Sequence, residues 1–148
     1  MKAKIIDISS VFPATIDEIW DKLQSLKTLQ FIAAPYVTFE PYDKNILKWQ
    51  EGVTTDYHLK LFGLFSFGKH SIEIIQFDKN AGLIYTNEKN NVVPLWNHKI
   101  LLQKIELEST LYTDEVEISA GWKTFFVYCW GVLFYRHRQK KWLRLLDS

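Results

Sequence analysis

An α+β domain is the architecture this sequence predicts: one antiparallel sheet of six or seven strands, two short helices after the first strand, and one long helix at the C-terminus. Three observations carry the prediction. Residues 4 to 12 (KIIDISSVF) have the β-branched content of a strand and precede two segments with apolar residues at helical spacing. From Tyr36 to about Ser119 strand patterns dominate, divided by turns that contain Gly, Asn or Pro. From Trp122 onward the period becomes helical again.

In the first strand Ile6, Ile8, Ser10 and Phe12 share one face. Pro13 and Thr15 then open a helix, with Thr15 and Glu18 spaced as a capping box and Ile16, Ile19, Trp20, Leu23 and Leu26 on one stripe. The second helical piece, TLQFIAAP, is expected to stop before Pro35, because the residue preceding a proline is pushed out of helical backbone. YVTFEP reads as an edge strand and ILKWQ as another. VTTDYHLKLFG places Tyr57, Leu59 and Leu61 on one face. GLFSFG reads as a connection and HSIEIIQFD as a strand, followed by a turn at Lys79–Gly82. LIYTNEK, WNHKILLQKIELE and TLYTDEVEIS complete the sheet, and short loops between consecutive strands imply antiparallel pairing.

The last element is apolar first and basic afterwards. The uncharged run Thr124–Tyr135 would span about 18 Å as a helix, against roughly 30 Å for a bilayer core, so no transmembrane segment is expected. On a helix Trp122, Phe126, Cys129 and Leu133 form one stripe, with Phe125, Trp130 and Val132 beside it, and this face is expected to cover the sheet. Truncating Phe126 there would cost about 3 to 5 kcal/mol. Val127 and Phe134 lie well round the helix, so a covering loop, a homodimer contact or shallow peripheral membrane contact is needed for the back face. Arg138, Lys140, Lys141 and Arg144 are expected to complement the helix dipole and keep the helix soluble.

Composition bounds the rest. The 148 residues suit one domain, 1–148, able to bury roughly 70% of the surface its unfolded chain exposes. A single cysteine, Cys129, excludes an intrachain disulfide and fits a reducing, cytoplasmic setting; it reads as a small buried hydrophobe. No secretory signal is read at the N-terminus. Six Lys or Arg stand against Asp147 alone from residue 122 onward, so the preceding residues are net acidic, which argues against a broad nucleic-acid footprint.

The order of elements, with several local pieces, resembles the helix-grip fold of the START-like (SRPBCC) superfamily. IDEIWDKLQSLKTLQFIAAP is similar to that family's opening helix pair, and GVTTDYHLKLFG to its Gly, Tyr, Leu, Gly strand. PLWNHKILLQ, TLYTDEVEIS and VLFYRHRQKKWLRL resemble segments of the polyketide-cyclase-like and CoxG-like branch, with Arg136, His137 and Arg138 in the last. The resemblance implies a curved sheet wrapped around the C-terminal helix with an apolar cavity between them. Where relatives often have a Pro- and Gly-rich loop, this chain passes through Ser119-Ala120-Gly121 directly into its helix, so a shorter gate is expected.

For chemistry, no catalytic set is read. The four histidines, 58, 70, 98 and 137, show no metal-ligand spacing, and no GxSxG, P-loop or GxGxxG is present; no cofactor or metal is expected. His98, on one face with Trp96 and Ile100, and Asp114, on one face with Tyr112, Val116 and Ile118, both point inward. A short turn between Glu106 and Thr110 would put Asp114 nearest Leu102 and His98 nearest Ile118, so the two are not expected to meet. Asp114 either anchors a buried hydrogen bond, to backbone or to Arg136, or joins His98 in orienting a ligand. Trp49, Tyr57, Trp96, Tyr112, Phe126 and Trp130 either line a cavity or fill it. The reading these residues support is an apolar small-molecule binder, lipid-like or aromatic, without obligatory catalysis. A polyketide cyclase or dehydratase using His98 or Asp114 is the first alternative, and an interaction module presenting the basic aromatic helix to a membrane surface or protein is the second.

Overall fold

The computed structural model describes residues 2–45 and 49–147. Seven strands form one antiparallel sheet: β1 (Lys4–Phe12), β2 (Val37–Pro41), β3 (Thr54–Leu61), β4 (Phe65–Asp78), β5 (Leu83–Lys89), β6 (Leu95–Glu106) and β7 (Ser109–Ser119). Helices α1 (Ile16–Leu23) and α2 (Leu26–Ala33) follow β1, and α3 (Thr124–Asp147) closes the described chain after a single 3₁₀ turn at Gly121–Lys123. The spatial order is β1-β7-β6-β5-β4-β3-β2. Consecutive strands from β2 to β7 pair as hairpins, and β1 joins the far edge beside β7. The chain must therefore cross the sheet between β1 and β2, and α1 and α2 make that crossing.

Local signals behave as their chemistry dictates. The Thr15 hydroxyl accepts from the Glu18 backbone N–H at 3.1 Å, satisfying one orphan donor of α1. At the Lys79–Gly82 turn Gly82 has φ +64°, and a Cβ there would collide with the Leu102 carbonyl, so glycine is required. The segment GLFSFG is not merely a connection: Phe65–Gly68 belong to β4, and only Phe62–Leu64 turn. Of the strand expected at ILKWQ, residues 46–48 lie outside the described residues, and Trp49 and Gln50 are irregular.

Extra residues at three places bend the sheet. Register shifts fall at Leu59/Lys60 in β3, Ile74/Gln76 in β4 and Lys104/Glu106 in β6. Each bulge increases twist and curvature, so the concave face can wrap a helix. That helix runs along β1 in the same direction: Lys4 sits over the Tyr128 ring, Gly131 meets Ile6, Gln139 reaches the Ile8 carbonyl, and Trp142 packs on Phe12. Gly131 permits the approach, since a Cβ there would lie 2.6 Å from Ile6 Cδ1.

The face of α3 against the sheet is the opposite of the one its apolar pattern predicts. Thr124, Gly131, Phe134, Tyr135, Arg138, Gln139 and Trp142 are buried. Trp122, Phe125, Phe126 and Leu133 are 77%, 54%, 66% and 58% exposed, and Cys129 is exposed rather than core. At about 100° per residue the stripe 122/126/129/133 is half a turn from Gly131 and Tyr135. Arg138, expected in solvent with the other basic residues, is buried. Polar side chains with partners in the sheet choose this face, as the network below makes plain. Trp142→Ala is therefore expected to destabilise the fold by about 3 to 5 kcal/mol, and Phe126→Ala by less than about 1 kcal/mol. Urea denaturation measures both; the reverse order would mean that α3 is rotated half a turn from this packing.

Candidate functional site

A cavity of about 440 Å³ lies between the start of α3 and the sheet, lined by Leu59, Leu61, Phe67, Asn90, Val92, Val93, Trp96, Trp122, Lys123, Phe126, Val127 and Trp130. The β3–β4 hairpin supplies one wall, the β5–β6 loop a second, and the first turns of α3 the third. Ten of these twelve side chains are apolar. Asn90 has no spare polar group: its Oδ1 accepts from the Val92 and Val93 backbone N–H groups and its Nδ2 donates to His70 Nδ1. Lys123 is the other polar residue, and its ammonium has no ion-pair partner among the described residues.

Trp96 closes the cavity toward the interior. Its indole N–H donates to the Tyr135 hydroxyl at 2.8 Å, and its ring stands edge-on to Trp130 and His70, with centroids 6.2 and 4.9 Å away. Burial, followed by the Glu88 charge, pushes the Tyr135 phenol well above its ordinary pKa, so it stays protonated.

Behind Trp96 is a buried polar network. Because Asn90 donates to His70 Nδ1, the other ring nitrogen of His70 donates to Glu88 Oε1 at 2.8 Å. Thr86 donates to Glu88 Oε2 at 2.8 Å, and His98 Nδ1 lies 3.7 Å from the same oxygen. His98 Nε2 is 2.6 Å from Asp114 Oδ1, and Gln139 Nε2 donates to Asp114 Oδ2 at 3.0 Å and to the Ile8 carbonyl at 2.7 Å. Ser10 donates to Gln139 Oε1. Arg138 adds a cation, its guanidinium 5.1 Å from the Tyr135 ring centroid and its Nε without a hydrogen-bond partner. A chamber of about 20 Å³ beside Arg138, Glu88, His98 and Trp49 has room for about one water.

Burial disfavours the Glu88 carboxylate, but the hydrogen bond from His70 and the nearby His98 ring outweigh it and hold the group well below its ordinary 4.5. Burial likewise opposes a charged His98, and the Asp114 and Glu88 carboxylates outweigh it, raising His98 above its ordinary 6.5.

The eight sequence-predicted site residues therefore do not form one pocket. Trp96, Phe126 and Trp130 line the cavity. Trp49 and His98 line the small chamber, and Asp114 sits in the network. Tyr57 packs edge-on to Phe39 in the core, and Tyr112 stacks on Phe12 at 4.6 Å beside Trp142, at the far end of α3. His98 and Asp114, not expected to meet, are joined. The register is His98↔Val116 and Ile100↔Asp114, two residues from the expected one, and the pair meets on the diagonal of the inner face. Asp114 is held by His98 and Gln139, not by Arg136. Glu88, His70, Arg138 and Gln139 were not anticipated, although alternation in LIYTNEK puts Glu88 inward with Ile84 and Thr86.

Among the described residues no three His, Cys, Asp or Glu side chains are grouped to hold a metal, and no helix is long and apolar enough to cross a membrane.

No protein-family model matches the sequence, and no curated protein matches it. Solved structures do. A START superfamily protein from Mycobacterium smegmatis is similar with a TM-score of 0.74 at 10% identity, covering 97% of both chains. Protein CV1439 from Chromobacterium violaceum is similar with a TM-score of 0.73 at 13% identity, again over 97% of both chains. Norcoclaurine synthase from Thalictrum flavum, solved with dopamine and hydroxybenzaldehyde, is similar with a TM-score of 0.67 at 15% identity, over 97% of this chain and 86% of that one. The chain has the START-like helix-grip fold.

Stability should depend on pH through the network. The contribution of Glu88, held below 4.5, is complete above pH 4.5 and is lost as pH falls through its depressed value. That of His98, held above 6.5, is complete below pH 6.5 and is lost as pH rises through its raised value. Urea unfolding across pH is expected to show decline on both sides of that interval. His98→Gln should remove the alkaline decline and keep the acid one; an unchanged alkaline decline would assign it to another group.

Proposed function

We propose that the protein binds a small apolar molecule, lipid-like or aromatic, in the 440 Å³ cavity, without obligatory catalysis. The observation that carries this reading is the cavity wall: a concave, almost wholly apolar surface, in the size range of small-molecule sites, where the Lys123 ammonium and the Trp130 indole N–H are without a partner among the described residues. Trp96 and Trp130, edge to face, suit a flat ring or an acyl chain. Lys123 favours a ligand with an acidic head over a neutral one, because a carboxylate at the mouth gains a cation that has no ion-pair partner among the described residues. The START-like fold and the two compounds solved with norcoclaurine synthase are consistent with a small organic ligand.

The cyclase or dehydratase alternative has one support, the 2.6 Å contact between His98 and Asp114. General acid–base work requires a group within hydrogen-bond reach of the reacting atoms. These two lie behind Trp96 and Tyr135, beside a chamber of about 20 Å³, and not in the cavity wall.

A ligand that binds only the folded protein raises its stability, by about 2.7 kcal/mol at a hundredfold excess over Kd. Screening fatty acids, flavonoids, sterols and aromatic polyketides by melting temperature is expected to find a stabiliser that is recovered unchanged after long incubation. Trp130→Ala should abolish its shift. Lys123→Gln should reduce the preference for a carboxylate over its methyl ester by about two- to fivefold, the scale of an exposed ion pair. No stabiliser in any class would refute the reading, and a converted compound would favour the enzyme.

A further inference from the structure

The mouth of the cavity is surrounded by apolar side chains that leave half or more of their surface exposed. On one side, the β3–β4 hairpin tip exposes Phe62, Leu64 and Phe65 to 50%, 80% and 63%; on the other, the start of α3 exposes Trp122, Phe125 and Phe126. The two sides are neighbours, because Leu61 and Phe67 of the hairpin line the same cavity as Trp122 and Phe126. A concentration of exposed aromatic and aliphatic side chains at one end of a domain marks a contact surface.

The hairpin tip adds an independent observation. Leu61 and Leu64 close a tight turn, with the Leu64 N–H donating to the Leu61 carbonyl at 3.0 Å, and both central residues are left-handed, Phe62 at φ +52° and Gly63 at φ +69°. Asn or Gly adopts such backbone readily, whereas a bulky residue there is strained. Here a Phe takes the strained position, packs one side of its ring on Tyr36 with centroids 5.4 Å apart, and presents the other half of its surface outward. Strained backbone clusters at functional sites, and here it holds a large apolar side chain at the tip of the hairpin.

Charge identifies the occupant. The three segments around the mouth, residues 57–72, 89–98 and 118–146, contain no Asp or Glu. Lys60 and Lys123 stand in these segments, and Lys4 lies over the Tyr128 ring beside the start of α3. Aromatic and aliphatic side chains flanked by lysines and free of carboxylates match the headgroup boundary of an anionic bilayer, where apolar groups insert shallowly and lysines meet lipid phosphates. From this we infer that the hairpin tip and the first turns of α3 dock on an anionic membrane surface, turning the cavity mouth toward the acyl layer. This deepens the binding reading by making the membrane the source or destination of its ligand, and it places the contact at the aromatic beginning of α3, away from the basic end.

The test uses vesicles of phosphatidylcholine mixed with phosphatidylglycerol, beside vesicles of phosphatidylcholine alone, with flotation as readout. The full chain is expected to float with the mixed vesicles and to bind more weakly as salt is raised. Leu64 and Phe65 do not line the cavity, so the double substitution Leu64→Ser, Phe65→Ser should lower partitioning about tenfold or more while keeping both the melting temperature and any soluble ligand's stabilising shift. Arg136→Gln with Arg144→Gln, in the middle and last turn of α3, should change partitioning less than about twofold. Three results would overturn the inference: no flotation with the mixed vesicles, loss of binding in the arginine variant in place of the hairpin variant, or a dimer in solution that the hairpin substitutions dissociate. If vesicle binding holds and no compound shifts the melting temperature, the cavity reading alone has failed.

Discussion

The seating of α3 on the sheet depends on the contact between Asp114 and His98, extended by Glu88 on one side and Gln139 on the other. Two carboxylates and a guanidinium are buried here, and a buried charge left unpaired costs several kcal/mol. Only one placement of the helix satisfies the sheet's inward polar groups: Gln139 must reach Asp114 and the Ile8 carbonyl together, and Arg138 must lie near both carboxylates. Sliding α3 by one turn, or rotating it so that its most aromatic face met the sheet, would leave Asp114 short of a donor and bury Phe125 and Phe126 in place of Arg138 and Gln139. The network thus need not add much net stability to decide which packing wins. It penalises the alternatives.

That constraint also explains where empty space is found. The middle and far end of the groove between sheet and helix are filled by Tyr135, Trp142, Tyr112 and the network, all buried. Toward the start of α3 the helix no longer has polar partners in the sheet, and Trp122, Phe126 and Trp130 stand off from Leu59, Leu61 and Phe67, which leaves the cavity. The Trp96 indole, fixed by Tyr135, is the partition between the two regions. Trp96 thereby forms the floor of the cavity and separates it from the ionic groups, whose desolvated pairing is undisturbed by whatever fills the apolar side.

Much of this was legible in the sequence, for reasons that also account for the failures. Period-two alternation in WNHKI and TLYTDEVEIS put Trp96, His98, Tyr112 and Asp114 on the inner face, because one face of the sheet is buried. Registry was harder to read. Ile105 is an extra residue at the bulge in β6, and with the turn at Glu106–Ser109 it moves the pairing by two positions, which preserves each residue's face yet brings His98 within reach of Asp114. No local pattern announces such a bulge. The helix face was misread because α3 is apolar nearly all round at its start, so hydrophobic spacing could not select a side. The deciding residues are polar: Arg138 and Gln139 share the spacing of Tyr135 and Trp142, and their burial follows from partners that are distant in sequence.

The exposed stripe of α3 is then not a packing failure but the remainder after the network has chosen its face. An aromatic face left outward is unfavourable to solubility unless something covers it, and here it adjoins the cavity mouth and a hairpin tip holding Phe62 in left-handed backbone. Had the aromatic face been seated inward, Phe126 and Trp122 would have occupied the volume that is now the cavity, and the mouth would have lost its apolar rim. Burying the polar face accordingly has two consequences at once, an open pocket and a sticky perimeter around it. In this chain the polar contacts of Gln139 and Arg138 in the interior fix the face of α3 from which both follow.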